Sequence, residues 1–544
     1  EDEYMLEIQL EGNTLTKEEP ISVEEVIYKR KDKDQIYAVM YNGKLRDLRY
    51  QLKESGTMVL VYADSETGKM IYERTLHFAF IAAVKLLFPQ SNVHLQHALS
   101  GGIFCEVEKQ PYLCLKDVKQ IEKKMQELID RQEEIKRSVV PTKEAVAFFN
   151  GIGMQHKASL LDTRKSKESS IYTLCDIHDY FYGIMLPHLG YLKHFSIRFY
   201  ASGIWLSANH HFEDQQKLFQ VFQEFERWGE MIHVSDIAQL NQAIQEGKMD
   251  ELVLMSETMV EKKLGFVADD IVNHHPNTKF ILIAGPSSAG KTTFSRRLSI
   301  HLKILGKKPL PISMDNFYKN REDCPILPDG NYDFDSLEAL DLDLFNDVML
   351  KLMHKEPVQL PIFNFKTGMR EWENKPTILD EDQILIIEGI HGLNPKTSAY
   401  IPPDAKYKIY INALTHMNLD SHNRIPTSDY RLIRRIARDH QSRGWDAKST
   451  ISFWKNVRDN EDKFIYPFQE ETNMIFNTSM VYELSILKKI VIPLLDQVPM
   501  NDPTYLEANR LKKLLEYFED GDEKAVPKSS ILAEFLGTSI FDVG

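Results

Sequence analysis

Gly285-Pro-Ser-Ser-Ala-Gly290-Lys291-Thr292 sets two glycines, a lysine and a hydroxyl at the spacing G-x-x-x-x-G-K-T, and the chemistry that spacing serves is phosphate binding. The glycines let the backbone wrap closely enough for the N–H groups of Ser287, Ser288, Ala289 and Gly290 to cradle phosphate oxygens. Lys291 supplies charge and Thr292 a hydroxyl for Mg²⁺. The apolar run Phe280-Ile-Leu-Ile-Ala284 suits a buried parallel strand. From Thr293 to Leu305, residues Phe294, Leu298, His301 and Leu302 fall near helical spacing, which points the helix N-terminus and its dipole at the anion. A nucleotide site with Mg²⁺ is the expectation.

Two carboxylates and a basic stripe extend this chemistry. Asp315 follows a second apolar run and is expected to open into the crevice at the carboxyl ends of the sheet. Glu388 ends the strand-like Ile384-Leu-Ile-Ile387 and is expected to hold Mg²⁺ together with Thr292. Arg431, Arg434, Arg435 and Arg438 fall at i, i+3, i+4 and i+7, so a helix gathers them on one face, where they repel one another unless phosphate is present.

The elements that must position these groups follow from the patterning. At 544 residues the chain is too long for one core, and its 43% hydrophobic and 27% charged composition is that of a globular protein. A formal charge of −14 argues against nucleic-acid binding through bulk positive charge. Four scattered cysteines without a C-x-x-C pair indicate neither a disulfide framework nor a zinc ribbon, and a reducing cytoplasm fits best. The start has no basic or apolar leader pattern, and no apolar run approaches the length of a membrane span.

Residues 1–65 alternate short apolar strands with turns and form a small β-rich module with a helix near Val23 to Lys31. From Thr75 a helix opens an α+β domain covering 66–237, and 238–272 read as helical connectors. Residues 273–499 alternate strand and helix, which predicts α/β architecture with a parallel sheet and helices on both faces. The polar tail, 500–544, is expected to pack only partly.

Five pieces of the C-terminal half resemble the uridine kinase and phosphoribulokinase group of P-loop kinases. They are Ser313-Met-Asp315-Asn-Phe-Tyr318, Asn331-Tyr-Asp333-Phe-Asp335, Pro361-Ile-Phe-Asn364-Phe365, Ile387-Glu388-Gly389-Ile-His391 and the arginine segment from Asp429 to Asp439. The resemblance implies that Asp315 activates the acceptor hydroxyl, with Lys291, Arg435 and Arg438 as the catalytic cations. It implies that Arg434 and Thr293 join the loop in holding the nucleotide, under a lid that closes over ATP. Tyr318, Asp333, Phe363, Asn364, Phe365 and Arg431 would line the acceptor pocket. The chain departs from the pattern there: Phe363 and Asn364 stand for a Tyr-Asp pair, Gly368 and Phe334 stand where histidines are common, and Trp445 replaces an arginine. Fewer groups that pair with a base imply weaker discrimination between bases.

The N-terminal half resembles a TGS domain followed by the editing-type domain of threonyl-tRNA synthetase. The resemblance rests on Arg74-Thr-Leu-His77 through Pro89, on Gly101-Gly-Ile-Phe-Cys105, and on Cys175-Asp-Ile-His178. That family uses H-x-x-x-H followed by C-x-x-x-H; here Ile81 replaces the second histidine and the later pair is one residue shorter, which implies that editing chemistry is lost. A residual metal or ligand site at His77, Cys175 and His178, with His94 or His97, is the weaker alternative to buried structural side chains. Such a module implies RNA or tRNA contact or homo-oligomer formation. Tyr191 to Tyr200 interleaves bases and aromatics as stacking surfaces do, although a strand with alternating faces explains it as well.

The sequence thus leads to an ATP- and Mg²⁺-dependent kinase of a nucleoside hydroxyl, uridine or cytidine first. The kinase region is expected to work without residues 1 to about 235. A kinase of another small hydroxyl-bearing metabolite and a regulatory RNA-binding ATPase are the competing readings.

Overall fold

The computed structural model describes all residues except 1–4, 19, 165, 209–210, 328–329, 331, 365–366, 416 and 543–544. The first unit is a sheet of order β2-β1-β5-β3-β4, built from Met5–Leu10 (β1), Asn13–Glu18 (β2), Ile36–Tyr41 (β3), Lys44–Arg46 (β4) and Gly56–Tyr62 (β5), with Val23–Ile27 (α1). In β1 the alternation of exposed and buried residues puts Leu6, Ile8 and Leu10 into the core.

The next helix, Glu66–Leu87 (α2), begins well before Thr75. Ser65 caps it by accepting from Gly68 N, and a Cβ at Gly68 would lie 2.0 Å from Tyr62 O. The glycine that weakens the helical pattern is required by this close approach to β5. Behind α2 and Leu115–Asp130 (α3), Asn92–Leu99 (β6) and Gly102–Glu108 (β7) form an antiparallel hairpin, and β7 also pairs with a later strand. Lys136–Pro141 (β8), Thr142–Gly151 (α4), Gln155–Asp162 (α5), Glu168–Leu174 (β9) and Ile177–Asp179 (β10) form a small antiparallel lobe. Ser196–Tyr200 (β11) and Gly203–Ser207 (β12) complete the sheet β11-β12-β7-β6. The basic and aromatic run ending at Tyr200 is therefore a strand, with Phe195, Ile197 and Phe199 packed on the core of this unit.

Gln216–Met231 (α6), Ile237–Gln245 (α7) and Met249–His274 (α8) lead into the third unit. Its strands Phe280–Ala284 (β13), Lys308–Ser313 (β14), Gln383–Glu388 (β17), Lys406–Asn412 (β18) and Met474–Asn477 (β19) form an all-parallel sheet of order β14-β17-β13-β18-β19. Pro361–Asn364 (β15) and Met369–Trp372 (β16) make a separate hairpin. The helices are Lys291–Ile304 (α9), Leu342–Met353 (α10), Thr427–Arg438 (α11), Ala447–Phe464 (α12), Glu483–Leu495 (α13), Tyr505–Leu515 (α14) and Ile531–Leu536 (α15). The α/β expectation holds, because apolar runs buried on both faces favour parallel pairing.

Two expectations are corrected here. The helices between 238 and 272 are part of the core: Leu240 of α7 and Val260, Leu264 and Ile271 of α8 pack in one cluster with Ile281 and Ile283 of the central strand. The tail packs fully in two places, since Leu511, Leu514 and Leu515 of α14 and Leu532 and Phe535 of α15 join the same cluster. Its charged residues, Glu519 to Glu523, lie between these two helices, and averaging over the segment hid the two short apolar faces.

Candidate active site

Register brings the chemistry together. Ile283 pairs with Glu388, and Glu388 pairs with Ser313, so the loop after β13, the end of β17 and the end of β14 emerge side by side. Asp315 follows in a short 3₁₀ turn, Met314–Phe317. The loop from Gly285 bends sharply: a Cβ at Gly285 would lie 1.9 Å from Ile411 O of β18, Gly290 has φ +83°, and Ser288 has φ +60°. The buried Ser288 Oγ has no partner, an orphaned hydroxyl that suits a phosphate oxygen.

Lys291, Asp315 and Glu388 are electrostatically coupled and half-buried. Burial pushes the Glu388 carboxyl up to about 7, Asp315 adds to the rise, and Lys291 opposes it. Burial also lifts Asp315 above the usual carboxylate range, against Lys291, Arg443 and a hydrogen bond from Tyr318. Lys291 is drawn below its usual range by burial, with Glu388 and Asp315 opposing. Its Nζ donates to Gly285 O at 3.0 Å and Pro286 O at 3.1 Å. Thr292 and Glu388 offer hard oxygen donors of the type Mg²⁺ prefers.

The arginine helix differs from a solvated lid. Arg431 donates to both oxygens of Glu461 at 2.6 and 2.7 Å, and to Ser287 O at 3.0 Å. Arg434 is bound by Glu483 through two nitrogens and donates to Ser288 O at 3.2 Å. At 1% and 0% exposure, both guanidinium groups are closed off from solvent and brace the loop from behind. Arg431, expected in the acceptor pocket, and Arg434, expected at the nucleotide, are each neutralised in this structure by a buried carboxylate that no motif announces. Carboxylates from α12 and α13 also remove the repulsion expected of the stripe. Arg435 and Arg438 share Asp439 and stay at the site: Arg435 Nη1 donates to Ser287 Oγ at 2.7 Å, and Arg438 lies within the electrostatic reach of Lys291.

In the acceptor region the Tyr318 ring meets Phe363 edge-on at 5.7 Å and Phe334 at 6.2 Å. Asp333 Oδ1 accepts from Asn460 Nδ2 at 3.0 Å, and Asn364 Nδ2 donates to Glu371 at 2.9 Å. Phe365 lies outside the described residues. A Cβ at Gly368 would meet the Arg321 guanidinium at 2.6 to 2.9 Å, so this arginine fills the space beside the missing histidine. Asp335, which the motif contained but the site assignment passed over, is lifted by burial and faces Arg435. Glu461 and Glu483 were missed because single glutamates on helices carry no spacing signal.

In the N-terminal half Ile81 is buried, and His178 Nδ1 pairs with Thr173 Oγ1 at 2.9 Å. Among the described residues no group of three or more His, Cys, Asp or Glu side chains is arranged to hold a metal, His77, Cys175 and His178 included. No described helix is long and apolar enough to cross a membrane.

Residues 280–485 match the model of the Phosphoribulokinase / Uridine kinase family, which makes this part of the chain a P-loop kinase domain. The N-terminal region is similar to threonine–tRNA ligases: that of Teredinibacter turnerae is 30% identical over 169 residues, 31% of this chain and 26% of that protein. The chain thus spans about a quarter of the length of that relative. Among solved structures, one titled a possible uridine kinase from Bacillus stearothermophilus is 20% identical over 28% of this chain and 80% of its own, with a TM-score of 0.24. A D-glycerate 3-kinase from Cryptococcus neoformans is 15% identical over 48% of this chain and 87% of its own, also with a TM-score of 0.24.

Proposed function

We propose that this chain transfers the γ-phosphoryl group of ATP to a hydroxyl of a small acceptor, with the 5′-hydroxyl of uridine or cytidine as the leading acceptor. The observation that carries the reading is the meeting of Lys291, Asp315 and Glu388 at the carboxyl ends of adjacent parallel strands. Lys291 and the loop amides bind the phosphates, with Thr293 in the first turn of α9. Thr292 and Glu388 would hold Mg²⁺, which would supply positive charge against the phosphates. Asp315 orients the acceptor hydroxyl and takes its proton; a carboxylate lifted above its usual range is a stronger base at neutral pH. Arg435 and Arg438 stabilise the charge of the transferring group.

Tyr318, Phe334 and Phe363 support a planar acceptor, because the Tyr318 ring with Phe334 and Phe363 each set edge-on to it offers an apolar wall for a base, with Asp333 and Asn364 as the polar groups. Such a wall reads stacking more than hydrogen bonds, so base selectivity is modest. A non-nucleoside acceptor is favoured by one observation, the Arg321 side chain filling the space beside Gly368. Incubation with ATP, Mg²⁺ and a panel of nucleosides and sugars, with products identified by mass, separates the two. A pyrimidine 5′-monophosphate is the expected product. A phosphorylated sugar transfers the reading to the second acceptor class, and no product despite ATP binding removes the kinase reading.

A further inference from the structure

The phosphate donors of the loop are engaged by the chain itself. Ser287 N donates to Glu461 Oε1 at 2.8 Å, and the Lys291 ammonium is turned onto two loop carbonyls. Thr293 Oγ1 donates to Glu534 Oε2 at 2.7 Å. Glu534 belongs to α15, the last helix of the chain, and is only 7% exposed. The same helix closes over the loop, since a Cβ at Gly290 would lie 2.5 Å from Ile531 Cγ2, and Phe535 lies 4.7 Å from the Arg434 guanidinium. The cavity beside Ser287, lined also by Asp335, His391, Asn460 and Glu461, holds ≈ 10 Å³, room for about one water molecule.

The first turn of α9 has free amides and the positive end of a helix dipole, so it favours an anion. Here a carboxylate of the same chain, Glu534, occupies the Thr293 hydroxyl of that turn. A nucleotide phosphate brought to these donors meets a like charge at contact distance, and the two cannot share the Thr293 hydroxyl. The segment joining α14 to α15 is anchored by the buried Tyr517 and Phe518 and by Ser530 at the start of α15, with the exposed Asp522, Glu523 and Lys524 between them, so displacement of α15 has to release the Ile531, Leu532 and Phe535 packing as well as the Glu534 contact.

We propose that α15 is a self-inhibitory strap, in which Glu534 holds the Thr293 hydroxyl and Ile531 covers Gly290, and that a nucleoside polyphosphate binds the loop by displacing it. The proposal rests on the nucleotide-binding reading of the loop. In physical terms the closed strap is a population that must be opened before ligand binds, and weakening it raises apparent affinity by the fraction released.

The test is ADP binding in the presence of Mg²⁺, by calorimetry, to the full chain and to Glu534→Gln, with hydrogen exchange of residues 531–536 followed with and without ADP. The expected result is binding about 10-fold tighter to Glu534→Gln, together with faster exchange of α15 in the wild-type chain when ADP is added. Equal or weaker binding by a folded variant, or α15 exchange that ADP leaves unchanged or slows, overturns the strap and leaves the nucleotide reading standing. Absence of ADP binding by both chains overturns the nucleotide reading and the strap with it. Should Glu534→Gln not fold, the exchange measurement on the wild-type chain decides alone.

Discussion

His422 of the C-terminal half and Asp179 of the N-terminal half lie 2.6 Å apart, Nδ1 to Oδ2, and both side chains are buried. Lys157 binds the same carboxylate, and His422 Nε2 lies 3.1 Å from Val93 O. Asp179 is the fourth residue after Cys175, so the place at which the synthetase pattern has the histidine of C-x-x-x-H is an anchor for the kinase half. Removing the carboxylate leaves the buried Lys157 ammonium with only the more distant Asp420, at 3.6 Å, and Asp179→Ala is expected to cost about 3 kcal/mol. Urea unfolding checks this, and a loss under about 1 kcal/mol would mean the cluster is not sealed from water.

The same carboxylate sets an acid limit. Burial alone raises its pKa, but His422 and Lys157 outweigh burial and hold it at about 2. A lowered folded-state pKa contributes stability that is complete above the unfolded value of about 3.9 and is lost as pH falls toward the folded one. Between about pH 5 and 2 the wild-type chain is expected to lose about 2 kcal/mol more than Asp179→Asn. Parallel unfolding curves for the two chains would remove this assignment.

Asp315→Asn keeps shape and removes the base. Turnover is expected to fall at least about 100-fold while ATP binding persists, since the loop does not depend on this side chain. Rates near wild type, measured on whichever acceptor is phosphorylated, would take Asp315 out of the chemistry.

The four arginines divide into two pairs with opposite signatures. Arg431→Met leaves Glu461 buried without its partner and is expected to destabilise by about 3–5 kcal/mol. Arg438→Met, whose side chain is 18% exposed at the site, is expected to shift stability by less than about 1 kcal/mol and to lower kcat by about 100-fold. Thermal unfolding read beside kcat distinguishes them, and equal melting losses in both variants would contradict the division.

Deleting residues 1–235 is expected to abolish folding, against the expectation of an independent kinase region. Val234, Leu160, Leu161 and Phe149 share one core cluster with the central strand, and Asn418 Nδ2 donates to Leu95 O and Gln96 O across the junction. A soluble fragment with a cooperative unfolding transition would show that the halves are separable.

By itself the sequence determined the phosphate loop, the parallel sheet around it and the carboxylates at its strand ends. These rest on local rules: glycine where the backbone must bend, continuous apolar runs where a strand is covered on both faces, and a charged residue where a strand meets solvent. Ser65 and Gly68 show the limit of such rules, because the start of α2 depends on a glycine that only the nearby Tyr62 carbonyl explains. The fate of the arginine stripe and of the tail was decided by tertiary structure alone. Whether Arg431 meets a phosphate or Glu461, and whether Glu534 meets water or Thr293, depends on partners 30 and 241 residues away, and no periodicity encodes contacts at that separation.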